Sequence, residues 1–180
     1  GGELLLRQRG IVSLHALTST NALRFAFDTA ADDMTRRLLL LQNAAFIPMF
    51  REAMKNRGSV ADVDITQLAA EPGKKSGTGA IEEIFANVSL DRTLASRQSL
   101  AVLQEGMPPE QLIDAARVLI FLKSGDAHDY KFSSAVLEDY LMIHPVWRDR
   151  FLAASMFYLR GSGDPDSDLL ARTRAALTAG

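Results

Sequence analysis

Apolar residues recur at steps of three and four along almost the whole of this chain, and strict alternation over four or more residues is scarce. That spacing lines up one face of an α-helix and scatters across both faces of a strand, so it selects an all-α fold. The segmentation yields about seven helices. A multi-helix bundle is expected, or else a solenoid-like array of antiparallel helix pairs.

The punctuation of the sequence sets the boundaries. A helix is expected from about Val12 to Asp28, then a break at Asp32-Asp33, either of which can cap the next helix by accepting a backbone N–H. That helix runs to about Asn56, with Leu38, Leu41, Ala45 and Met49 on one face. Pro48 should kink it and Gly58 should end it. Residues 58–78 turn polar and glycine-rich around Pro72-Gly73 and read as a possible flexible linker, with Ile65 to Ala70 able to form one short turn. Further helices are expected at Gly79 to Val88 and Asp91 to Gln104. Another runs from Pro108-Pro109 to Gly125, where proline in the first turn costs no hydrogen bond. Asp126 with Asp129 resembles a capping box and opens the next helix, Pro145 separates it from one at Val146 to Arg160, and a last amphipathic helix carries Leu169, Leu170, Ala176 and Leu177.

Composition narrows the function classes. The chain has 180 residues, 47% of them hydrophobic and 23% charged, enough for a single domain that buries roughly 70% of its unfolded surface. A net charge of −2 gives no nucleic-acid footprint, and the absence of cysteine removes disulfides and thiolate chemistry. The longest apolar run, Leu38 to Leu41, falls far short of the ~20 residues that span a bilayer and is expected in the core. A soluble protein follows, with the cytoplasm as the default compartment. The Gly1-Gly2 start without methionine points to one part of a longer chain. The ten aromatics singled out by their helical spacing, among them Phe25, Phe46, Phe121, Phe132 and Trp147, are expected in the core.

The candidate chemistry rests on the three histidines. His15 shares a helical face with Ile11, Thr18, Ser19 and Ala22, small neighbours that admit a ligand or a close helix contact. An imidazole there can act as a base near neutral pH, or be bonded to a backbone carbonyl. His128 and Lys131 lie three apart at a helix start, where two cationic groups favour an anionic oxygen. Lys131 should lower the pKa of His128, unless it pairs with Asp126, Asp129 or a carboxylate on another helix and leaves His128 a surface cap. His144, before Pro145, reads as a turn residue. No histidine stands in a local metal-binding pattern, so no metal is assigned. The Gly77-Thr78-Gly79 pair belongs to the linker.

Two segments carry a resemblance. The stretch from Ser13 to Arg24 resembles the His-Ala-x-Thr-x-x-x-Ala-Leu-Arg helix of questin oxidase-like proteins. Ala127 to Phe132, with Phe151 to Ser155 later, resembles their closing His-x-x-Lys region. The resemblance covers about a third of the chain, in matching order, and implies an oxidoreductase that oxygenates an aromatic or quinone-type substrate with NADPH, or the carboxy-terminal part of one. By position it marks His15, His128 and Lys131 as catalytic, and Thr18, Arg24 and Tyr130 as substrate-binding. The family's amino-terminal segment, with further histidines, has no counterpart here. The alternative is a non-catalytic helical scaffold or protein-interaction domain, suggested by the leucine-rich second helix and the amphipathic last one. The partners expected are a small-molecule substrate and either a second copy or another chain segment, with neither nucleic acid nor membrane.

Overall fold

The computed structural model describes residues 1–178, and among them every regular element is helical. The order is α1 (Gly2–Arg7), α2 (Ile11–Thr29), α3 (Asp33–Lys55), a short 3-10 turn (Ile65–Gln67), α4 (Thr78–Leu90), α5 (Arg92–Gln104), α6 (Pro109–Lys123), α7 (Ala127–Met142), α8 (Pro145–Ser155) and α9 (Asp168–Thr178). The architecture is a multi-helix bundle. The boundaries follow the capping chemistry: the side chains of Asp32, Asp91 and Asp126 each accept first-turn N–H groups, and Pro109 and Pro145 occupy opening positions of α6 and α8. Gly106, at φ +94°, closes α5, with Met107 N–H bonded back to Val102 C=O at 2.9 Å.

α5 lies at the centre, packed between α4 and α8, and is buried almost all round from Ala95 to Leu103. A helix in that position must be small or apolar on most faces, which Ala, Ser, Leu and Val supply, while the buried Gln98 amide is bonded to Asn87 and Glu83 and Arg97 points outward to Glu71. Phe85, Phe132, Leu152 and Met156 fill the main core, and α7 lies against both α2 and α8. α2 and α3 form an antiparallel hairpin whose base is closed by Leu4, Ala16 and Met54.

Several expectations are corrected. The short helix α1 was not anticipated: at six residues it shows no period, yet Leu4, Leu5 and Leu6 are all buried. α3 runs through Pro48 without interruption. The leucine run expected in the core lies mostly outside it, with Leu38, Leu40 and Leu41 at 57%, 56% and 67% exposure. Phe25 and Phe121 are also exposed, while Phe132 and Phe151 are core. α8 ends at Ser155, five residues early, because the chain tightens into turns whose carbonyls receive the Arg92 guanidinium. The segment between α3 and α4 is held by tertiary hydrogen bonds, from Ala61 N–H to Arg7 C=O at 2.8 Å and from Glu71 N–H to Arg97 C=O at 3.2 Å.

Candidate functional site

The site begins at the amino-terminal turn of α7. Asp126 Oδ1 accepts the N–H groups of His128 at 2.7 Å and Asp129 at 3.3 Å, which fixes the direction in which the first turn presents its side chains. Asp129 is buried and bonded the other way: its Oδ2 accepts Gly125 N–H at 3.2 Å and both Nε and Nη2 of Arg160, at 3.1 and 2.6 Å. The α7 start is thereby tied to the turn that follows α8. Sequence reasoning missed Arg160, because a pair formed across so much chain leaves no local pattern.

On this platform His128 meets His15 of α2, with ring centroids 5.8 Å apart and planes at 86°. His128 Nδ1 stands 3.5 Å from Asp126 Oδ1, a distance of electrostatic attraction rather than of a strong hydrogen bond. Burial holds the His15 imidazole below its ordinary pKa, and the nearby charges of His128 and Lys131 push it the same way. The carboxylate of Asp129, a partner considered for Lys131, is taken by Arg160.

The other marked residues are not gathered at this pair. Thr18, one turn along from His15, is buried, and its Oγ1 has no hydrogen-bond partner. Arg24 is nine residues from His15, about half a revolution round the helix. It forms an ion pair with Asp28 at 2.8 Å and lines a separate cavity. Tyr130 leaves α7 about 200° from His128 and packs against Phe121 of α6. His144 caps α8, its Nδ1 accepting Val146 N–H at 3.4 Å.

The separate cavity, of about 400 Å³, opens between α2, α3 and the end of α7. Leu23, Phe27, Leu39 and Met142 make it largely apolar, and Asp139 supplies a carboxyl that receives Asn21 Nδ2–H at 3.1 Å. Burial raises the Asp139 pKa, only partly offset by that hydrogen bond. Among the described residues Arg24 is the one side-chain cation lining the cavity, and it is already paired.

NADPH does not fit these groups. A dinucleotide needs donors and cations for its phosphates, whereas the cavity sets the Asp139 carboxyl beside a guanidinium already paired and the Gly1 amine that faces the same carboxyl. Gly77-Thr78-Gly79, expected in the linker, instead opens α4, and the backbone amides of Lys74 and Lys75 just before it are used by the Glu83 carboxylate. Among the described residues no group of three His, Asp or Glu side chains is arranged to hold a metal ion, and no helix is long and apolar enough to cross a membrane. Compared with known proteins, the chain matches no family model, no curated protein and no solved structure.

Proposed function

We propose that this chain is an oxidoreductase domain of the questin-oxidase type, or the carboxy-terminal portion of one, whose own residues handle the proton of a phenolic aromatic substrate. The observation that supports this most is the meeting of His15 and His128 from distant parts of the chain. Imidazole is the side chain suited to proton transfer near neutral pH, and a lowered pKa leaves the lone pair of His15 free to accept. The phenolic O–H gives its proton to His15, and the oxygen keeps the electron pair as a phenolate. Lys131 and the positive end of α7 stabilise that charge, while the Asp126 carboxylate orients His128. No cofactor-dependent step is assigned to these residues.

The test uses a hydroxyanthraquinone whose absorption moves to longer wavelength on ionisation. The protein is expected to shift the bound ligand towards phenolate at a pH where the free ligand is neutral. His15→Ala and His128→Ala should each weaken binding by about tenfold, and His15→Ala should abolish the spectral shift. Unchanged binding and ionisation in both variants removes the proposal.

A further inference from the structure

Helix α3 is apolar on two opposite faces. Its inner face turns Leu39, Asn43, Phe50 and Met54 towards α2 and α1, where Thr20 Oγ1 bonds Asn43 at 3.1 Å and Met54 is fully buried. Its outer face carries Met34, Leu38, Leu41, Ala45, Pro48 and Met49. At about 100° per residue these six lie within about 100° of one another, centred opposite the inner face. The alternating steps of four and three from Met34 to Pro48 are those of a coiled-coil seam. Yet Met34, Leu38, Leu41 and Met49 are 64%, 57%, 67% and 63% exposed.

We infer that this seam joins two copies of the chain, packed antiparallel about a two-fold axis near Ala44-Ala45, so that two α2–α3 hairpins stack with their α3 helices innermost and their α2 helices outside. The charges flanking the seam select a second copy and its direction. Asp33 and Arg37 stand at one end, Glu52 and Lys55 at the other. Antiparallel pairing brings Arg37 against Glu52 of the second copy and Asp33 towards its Lys55, whereas parallel pairing sets like charge on like. The present ion pairs, Lys55 with Glu52 and Arg36 with Asp33, are exposed ones within the helix and rearrange at little cost. The small side chains of Ala44 and Ala45 at the midpoint let the two helix axes approach.

Area points the same way. Each of the four large side chains leaves roughly 100 Å² open. With Ala45, Pro48 and the flanking stems the face amounts to about 600–800 Å², close to one side of a standard protein–protein interface, about 800 Å². It also exceeds what a monomer ordinarily leaves as one continuous patch, about 300–600 Å². The inference is independent of the chemistry at the histidines, since the seam lies on another element.

Sedimentation velocity over a concentration series tests it. A reversible monomer–dimer equilibrium is expected, weakened at least about tenfold by Leu38→Glu or Leu41→Glu, with helical circular dichroism unchanged. Arg37→Glu should weaken the dimer, and adding Glu52→Arg should restore it. The chain has no cysteine, so single cysteines report direction. Ala45→Cys, near the axis, should oxidise to a linked dimer, and Met34→Cys, far from it, should not. A chain that stays monomeric up to about 100 μM overturns the inference. So does cross-linking of Met34→Cys as readily as Ala45→Cys, or a seam that binds anionic vesicles as a monomer.

Discussion

His15 and His128 meet edge to face, 5.8 Å between ring centroids, on two helices that lie side by side. Because the folded state holds the His15 pKa below its ordinary 6.5, the native protein binds fewer protons than the unfolded chain just below that pH. The stability tied to this group is fully present above pH 6.5 and is lost as pH falls through the lowered folded value. Ring-proton NMR should show His15 titrating below 6.5, and His128→Ala or Lys131→Ala should move it upward. A midpoint at or above 6.5 in the unaltered protein contradicts this account.

Much of the helical frame was legible because its signals are local. Asp32, Asp91 and Asp126 act as caps within three residues of the amides they serve, and Pro109 and Pro145 mark helix starts whatever the tertiary context. The side to which a helix turns is not local. Leu38, Leu41, Ala45 and Met49 form an apolar stripe by spacing alone, but α3 carries a second such face, and only packing decides that Leu39 and Met54 go inward. The same limit governs the site. Spacing could place His128 beside Lys131, but the arrival of His15 and the capture of Asp129 by Arg160 depend on how α2 and the turn after α8 dock on α7. Helical phase sets Arg24 and Tyr130 on other faces of their helices than the imidazoles, a separation that a shared motif in the sequence does not show.

Asp139 is expected to behave oppositely to His15. Burial raises its folded pKa above the ordinary 3.8, so its contribution is complete below that pH and is lost as pH rises through the folded value. Asp139→Asn keeps an oxygen for the Asn21 donor and removes the half-buried charge. The variant should be more stable than the original at neutral pH by about 1 kcal/mol, with the difference vanishing in acid. Urea unfolding at several pH values measures it, and a variant less stable at pH 7 refutes it.

The Asp129–Arg160 pair should be costly to break from the cationic side. Asp129 has 7% of its side chain exposed and takes both of the guanidinium's contacts on one oxygen. Arg160→Ala leaves that carboxylate buried beside a single amide, a loss of about 3 kcal/mol. Arg160→Lys restores the charge but not the two-pronged geometry, and should recover only part. Thermal unfolding reports both, and a loss below about 0.5 kcal/mol for the alanine variant means the pair is a solvated one.

Gly161 is where the turn after α8 touches the end of α4. Ser162 N–H donates to Phe85 C=O at 2.9 Å, and Ser89 Oγ donates to Asp164 Oδ1 at 2.8 Å while accepting Gly163 N–H at 3.1 Å. A Cβ at position 161 would fall onto Ser89 Oγ and lie 2.6 Å from Ser89 N and 2.8 Å from Phe85 O. Gly161→Ala should therefore cost about 3 kcal/mol, because backbone must move as well as a side chain. Adding Ser89→Ala clears the hydroxyl but leaves both backbone contacts, so the double variant should regain less than half of the loss. At Gly163 the nearest atom to an added Cβ is Ser89 Cβ at 3.2 Å, and Gly163→Ala should cost about 1 kcal/mol. Equal melting temperatures for the two single alanine variants would show that the turn does not sit against α4 in this way.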